Sequence, residues 1–426
     1  MSDGPPLKIA LPTSSFLPDL GGVAVGLHNI AARLEAQGHR PLILAPYGLV
    51  RRLRQEGWSL PYRISGLPPR AGWLMDRAPW LSLALMDRYF GRLQRRHGFD
   101  FWHATVGYPT GVWVVHFAGR RTSRTLPHLI RCAGDDVQQA PEIGYGMRRN
   151  PRVDRLLRRW LPRADCLVAT TETMAHEYRA LGVPERRIVQ VPNGVDLARF
   201  AAPVDRASVR RRLGLDPAAF LYLAVGRNHP KKNFAGILRA LSAQAPGSGR
   251  ETGLIVVGDG AGRLQPLAAE LGLGRRVVLR EAIAGVPAGQ GQAVTLPPPG
   301  LVELYRAADA FVFPSRIESF GIVLVEAMAA GLPVIAGDAP GCRDVLRGGR
   351  DGILVPPEDL PALEAAMTRV RDDRDLRRDL AARSLNRARD FSWDTVVERY
   401  LALYREGIER ARRGDPMNRR PAGDSC

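Results

Sequence analysis

Lysine is almost missing from this chain. Of 61 basic residues in 426, only Lys8, Lys231 and Lys232 are lysines, and the rest are arginine. A preference this general looks like codon bias, so the number of arginines names no partner by itself. Cysteine is sparse as well. Cys132, Cys166, Cys342 and Cys426 are far apart, and none forms a Cys-x-x-Cys pair. That spacing indicates neither a structural zinc site nor a disulfide framework. It fits a reducing compartment. Long apolar runs are lacking too: residues 78–86 and 327–336 fall far short of the ~18 needed to span a bilayer. Ile9-Ala10-Leu11 is too short for the apolar part of a secretory signal and reads as a first strand. The expected setting is therefore cytoplasmic.

What is present describes a folded protein. Hydrophobic residues make up 45% and charged residues 24%, which excludes a disordered chain. The length allows two or three domains. Net charge is +18. Residues 1–190 hold an excess of +12, and the remainder only +6. Nucleic acid, anionic membrane and phosphorylated small molecules all attract such a charge. The basic residues are dispersed and form no recognisable nucleic-acid module, so nucleic acid is not the expected partner.

Short apolar runs alternate with amphipathic stretches. Strand expectations in the first part are residues 7–11, 41–45, 99–103, 112–116 and 166–170. The alternation restarts after about residue 215, at 220–225, 253–257, 277–279, 310–313, 334–336 and 353–355. Strand, glycine loop, helix, strand is the unit of a parallel sheet. Two α/β units fit the length: an N-terminal domain over 1–192 and a second over 193–392. A long helix over 393–412 is expected to pack back on the first domain, before a disordered tail over 413–426. Residues 284–300, rich in Gly and Pro, read as a loop.

Four stretches carry chemistry. FPSRIESFGIVLVEAMAAGLPVIA, residues 313–336, reads as strand, loop, helix, glycine stop, strand. Ser319-Phe320-Gly321 would open the helix and offer free N–H groups to a phosphate. Glu318 precedes that terminus and Glu326 lies within the helix. Carboxylates beside an anion site suit sugar hydroxyls rather than phosphate; spacing alone also fits a helix-end charge and a solvated helix residue. Gly226-Arg227-Asn228-His229-Pro230-Lys231-Lys232-Asn233 follows a strand, where open α/β sheets bind ligands. Two of the chain's three lysines fall in it, which points to a compact charge for phosphate; a solvated basic turn is the alternative. Gly258-Asp259-Gly260 gives a tight turn. Gly21-Gly22, at the first strand-to-helix turn, permits close backbone approach.

In order, these motifs resemble the group-one, family-four retaining glycosyltransferases. PNGVD (192–196), GR…KKN (226–233), GDG (258–260), ESFGIVLVE (318–326) and DGILVPP (351–357) carry the resemblance. It implies the GT-B fold, with two Rossmann-like domains facing a cleft. It implies transfer of a sugar from a nucleotide-diphosphate sugar to an acceptor hydroxyl with retention of configuration. No cofactor and no metal are implied, since Arg227 and Lys232 would pair with the diphosphate. Glu318 would hold sugar hydroxyls and Glu326 the ribose. Ser319, Phe320 and Gly321 would give backbone N–H groups. Asn193 and Gly258 would line the donor site, Gly21 and Gly22 would approach the donor phosphate, and Lys231 is an alternative to Lys232.

One departure matters. Many relatives carry a His-Gly-x-Asp stretch, and here the corresponding place is Ala133-Gly134-Asp135-Asp136. Asp135 or Asp136 would do related work, or His103 or His116 would reach the site; each histidine also fits a satisfied core position. The acceptor would be a carbohydrate or lipid-linked glycan, as in envelope polysaccharide synthesis. Residues 73–96 interleave tryptophans with arginines, which fits either a helix on an anionic membrane or one packed on the core. Asp373-Arg374-Asp375 lies in a charged helical run and reads as a solvated face.

Overall fold

The computed structural model describes residues 5–120, 126–244, 251–283 and 294–414. They divide into two compact units. The first holds residues up to 192, Val294 and those from 394 onward; the second holds 193–283 and 295–393.

The first unit is built on seven strands: β1 Lys8–Pro12, β2 Arg40–Pro46, β3 Arg63–Leu67, β4 Phe101–Ala104, β5 His128–Ile130, β6 Cys166–Ala169 and β7 Ile188–Gln190. Their order is β3-β2-β1-β4-β5-β6-β7, and every pairing is parallel. Ala10 sits between Leu42 of β2 and Trp102 of β4. Helices cover both faces, so the inner strands read as unbroken apolar runs. The helix Gly22–Ala36 buries Leu27, Ile30 and Leu34. The helix Trp393–Arg413 lies against this sheet from Asp394 on. Tyr404 packs on Phe101 and shares a hydrogen bond with His103, and Asp394 pairs with Arg33.

The second unit has six strands: β8 Phe220–Val225, β9 Thr252–Val257, β10 Val277–Arg280, β11 Ala310–Phe313, β12 Val334–Gly337 and β13 Ile353–Val355. Their order, β10-β9-β8-β11-β12-β13, is again all parallel. Both sheets reverse direction of growth once, between β1 and β4 and between β8 and β11. Loops leaving adjacent strands at such a switch point diverge to opposite faces and open a crevice at the strand ends.

Several expectations are corrected. Residues 112–116 are not a strand but the start of a buried helix, Val112–Gly119. A wholly apolar run has no period, so it cannot separate a core strand from a core helix. Strands β3, β5 and β7 were not foreseen; two of them are three residues long. Residues 73–96 form two helices, Ala71–Arg77 and Pro79–His97. Pro79 pushes Ala78 out of the helical region and opens the second helix at its first position. Pro299 and Gly300 begin the helix Pro299–Ala307 instead of ending a loop; residues 284–293 lie outside the described residues. The helix ends at Arg413, and the tail expected to be disordered lies, from 415 on, outside them too. Cys132, Cys166 and Cys342 are buried thiols.

Candidate functional site

The switch point of the second sheet brings together the loop after β8 and the loop after β11. Lys232, at the end of a 3-10 turn Pro230–Lys232, contacts the carboxylate of Glu318 through its ammonium and Oε2. These residues are 86 apart in sequence. Their side chains are only 12% and 9% exposed. The ring of Phe313, the last residue of β11, lies 4.3 Å from the ammonium. The loops are also tied through the backbone. The Lys231 carbonyl accepts from the Arg316 N–H at 2.7 Å and from the Ser315 hydroxyl at 3.0 Å. Oε1 of Glu318 accepts from the Ser319 N–H at 3.3 Å. A Cβ on Gly341 would lie 2.3 Å from the Glu318 carbonyl oxygen, so glycine there lets a neighbouring helix press on this turn. Burial pulls the Glu318 carboxyl upward, but Lys232 and then Lys231 outweigh it and hold the pKa below its ordinary value.

The helix expected to open at Ser319 begins at Ile322 instead. Gly321 is its cap, with a left-handed φ of 82°. Phe320 turns inward against Phe391, and its side chain is core. Glu326 is not a solvated helix residue. It is buried, and Oε2 accepts from the Tyr305 hydroxyl at 2.8 Å. Burial raises its pKa to about 7, against smaller opposing effects of Tyr305 and Arg199.

Other site expectations fall around this junction. Arg227 stays exposed at 69%, 4.0 Å from Asp259. Gly258 has a structural reason: its φ is 147°, and a Cβ would lie 2.0 Å from the Gly226 carbonyl oxygen. The turn it belongs to is closed by Glu281, whose carboxylate accepts from the Gly260 and Gly262 N–H groups at 2.7 and 3.1 Å. Asn193 is buried beside Gly194, where a Cβ would strike the Trp393 ring. The PNGVD motif thus packs onto the chain entering the last helix.

In the first unit, Gly21 caps the helix Gly22–Ala36 in an extended conformation. A Cβ on Gly21 or Gly22 would meet nothing within 4 Å, so packing does not account for either glycine. Asp135 is part-buried on the turn after β5, and its carbonyl accepts from the Met147 N–H. Asp136 is fully buried and accepts from the backbone N–H groups of Gly107 at 2.5 Å, Ala133 at 3.0 Å and Gly134 at 2.9 Å. Burial, then Asp135, raises its pKa to about 6 against those bonds. His103 has no exposure. It stacks on Tyr400 and bonds Tyr404, and burial lowers its pKa to about 3, so it is a neutral core ring. His116 lies on the helix Val112–Gly119 with its ring edge-on to Trp160. Asp373 caps a helix by accepting from the Leu376 N–H, and Asp375 is exposed. Among the described residues no group of three or more His, Cys, Asp or Glu could hold a metal ion.

Phe313, Ser315 and Tyr305 were not foreseen as partners of the site. Phe313 and Ser315 stood inside the motif, but nothing in their spacing shows what they touch. Tyr305 lies on another helix, and only the fold brings it to Glu326.

Two parallel α/β sheets, each with a switch point, are the architecture of the GT-B glycosyltransferases. Solved structures agree. Sucrose-phosphate synthase from Thermosynechococcus elongatus superposes with a TM-score of 0.72 at 22% identity, covering 94% of this chain and 98% of that one. Anabaena HepE, solved in complex with UDP-glucose, gives 0.70 at 21% identity, covering 95% and 99%. The family model described as glycosyl transferases group 1 matches residues 205–387, and the one described as glycosyl transferase 4-like domain matches 21–194. The chain belongs to the group 1 glycosyltransferases. It is similar to D-inositol 3-phosphate glycosyltransferases of Actinosynnema mirum, 36% identical over 246 residues, and Thermomonospora curvata, 39% identical over 259. Each match spans 57% of this chain and 57% of the relative, so it covers little more than half of those proteins.

Proposed function

We propose that this protein transfers a sugar from a nucleotide-diphosphate sugar to an acceptor hydroxyl, with retention of configuration and without a required metal. The observation that carries the reading is the junction of Lys232 and Glu318 at the switch point of the second sheet. A cation for phosphate and a carboxylate for hydroxyls meet there, within the stretch matched by the group 1 family. As the bond from the sugar carbon to the diphosphate oxygen breaks, negative charge grows on the diphosphate. Lys232, Arg227 and the N–H groups of Ser319, Phe320 and Gly321 stabilise it where it develops. The acceptor oxygen attacks the same face, and its proton passes to the departing phosphate oxygen. Glu326 takes the ribose hydroxyls. Lys231 is the second cation of the loop, Gly258 packs against its Gly226, Asn193 lines the donor site, and Gly21 and Gly22 of the first unit present open backbone to a donor phosphate. Asp135 stands where relatives carry their histidine motif.

The acceptor is a carbohydrate or a lipid-linked glycan, as in cell-envelope synthesis. The similar curated proteins are named for inositol 3-phosphate, so a phosphorylated polyol belongs in the acceptor panel. The full chain is incubated with UDP-, GDP- and ADP-sugars, with and without acceptors, and nucleotide release is measured. Acceptor-dependent release supports the reading. Donor conversion without acceptor would favour an epimerase, and a dependence on inorganic phosphate a phosphorylase. Binding without turnover would favour a silent sugar-nucleotide-binding protein, and no binding of any donor contradicts the reading.

A peripheral contact with anionic membrane, from the cytoplasmic side, has its own support. Trp80 is 73% exposed, Trp73 52% and Leu81 41%. Arg77 lies over the Trp73 ring, and Arg88, Arg92 and Arg96 continue the exposed face of the helix Pro79–His97. Tryptophan beside arginine suits the interface of an anionic bilayer. No described helix is long and apolar enough to cross a membrane. In flotation at low salt, the wild-type protein rises with phosphatidylserine vesicles and Trp73→Ala/Trp80→Ala does not. Absence of wild-type flotation removes this part.

A further inference from the structure

Lys232 and Glu318 already neutralise one another in the ligand-free chain. The ammonium sits between a carboxylate and the face of Phe313, and both charged groups are nearly buried. The backbone bonds through Lys231, Arg316, Ser315 and Ser319, and the close seat of Gly341, leave the pair little freedom to separate. A diphosphate that comes to Lys232 therefore also comes to a carboxylate. Like charges brought together out of bulk water repel strongly. An ionised carboxylate accepts about four hydrogen bonds and donates none. Sugar hydroxyls supply donors to it. A bare diphosphate supplies no such donors and brings one more ionisable oxygen.

We propose that Glu318 is a specificity-determining residue that disfavours nucleoside diphosphate lacking a sugar relative to the same nucleotide carrying one. This rests on the donor reading above and deepens it. The carboxylate offsets the attraction of Lys232 for any diphosphate, and only a sugar compensates by donating hydroxyl hydrogens to it. After transfer the sugar is gone, the compensation goes with it, and the spent diphosphate is held less tightly. The lowered pKa of Glu318 agrees, since the carboxylate stays charged at neutral pH.

Calorimetric titration of the full chain tests this with three pairs of probes: UDP and UDP-glucose, GDP and GDP-mannose, ADP and ADP-glucose. For the pair that binds, Glu318→Gln is expected to tighten the bare diphosphate and weaken the sugar nucleotide. The ratio of their dissociation constants shifts about tenfold toward the bare diphosphate. Glu318→Asp, which keeps the charge, is expected to keep the ratio on the wild-type side. If Glu318→Gln and Glu318→Asp, with wild-type melting temperatures, weaken both ligands by the same factor, Glu318 only positions Lys232 and the inference is overturned. If the wild-type protein binds no nucleotide at all, the donor reading fails and takes the inference with it.

Discussion

Two buried carboxylates, one in each unit, stand on loops at strand ends: Asp136 after β5 and Glu318 after the switch-point strand β11. Asp136, in the first, spends its oxygens on backbone N–H groups from two loops, those at Gly107 and at Ala133–Gly134. Gly107 fits so closely that a Cβ there would lie 2.7 Å from Cys132 Sγ. Glu318, in the second, is held chiefly by a side-chain cation. Burial wins at Asp136 and its pKa rises; cations win at Glu318 and its pKa falls. A carboxylate that closes backbone donors is architecture, because any ligand taking it would orphan those donors. One held by a lysine can share its partner with an incoming anion. The comparison therefore assigns shaping of the fold to Asp136 and agrees with the donor role proposed for Glu318 and Lys232.

The sharpest way to break that contrast is Lys232→Ala. It is expected to lower nucleotide-diphosphate affinity about a hundredfold, because a charge-assisted contact is lost and a buried carboxylate is left facing the phosphate. Calorimetry reads this, and a change under threefold would return Lys232 to the architectural class. Asp136→Asn should do the opposite. Turning one oxygen into an NH₂ group leaves a buried donor unmet, which costs about 2–3 kcal/mol in urea denaturation. Nucleotide affinity of the folded variant should stay within about twofold, since Asp136 donates nothing to ligand.

Glu326 adds a pH dependence of known sign. Its pKa in the folded chain is raised from 4.5 to about 7. The unfolded chain ionises it first as pH rises, so the native state loses relative stability from about pH 4.5 until about pH 7, then no further. Glu326→Gln removes this loss. It should be more stable than wild type at pH 8 than at pH 4.5 by up to about 3 kcal/mol, measured by denaturant titration at both values. A pH-independent difference would contradict the buried, proton-binding state. Arg227→Ala is expected to have the smallest effect, about a tenfold loss of nucleotide affinity. That loss should shrink with added salt, because the side chain is exposed.

The second unit was the more legible of the two. Glycine stands next to the end of β8, β9 and β13, and β8, β11 and β13 have the expected bounds. In the first unit, β5 and β7 are three residues long with no glycine beside them to mark an end, and Arg63–Leu67 is only half-buried. The helix Val112–Gly119 is apolar nearly all round because it is enclosed, which erases the helical period. For the site, residue types were readable and partners were not. Lysine scarcity marked Lys231 and Lys232, and the fold was needed to show the Lys232 ammonium in contact with the Glu318 carboxylate. For Glu326 spacing fitted a ligand carboxylate and a solvated residue alike, and only the neighbouring helix with Tyr305 encloses it. Asp136 stood out with Asp135 only as a stand-in for the histidine motif, and nothing in its spacing showed that it closes backbone N–H groups, since those belong to residues of any type.

The central claim is that the Lys232–Glu318 junction is the seat of the donor diphosphate. Isothermal titration of the full chain and of Lys232→Ala with UDP-, GDP- and ADP-sugars tests it most directly. The account predicts saturable binding of at least one of them to the wild type, weakened about a hundredfold in Lys232→Ala while the melting profile stays cooperative. Equal affinity of both proteins for that ligand would contradict it.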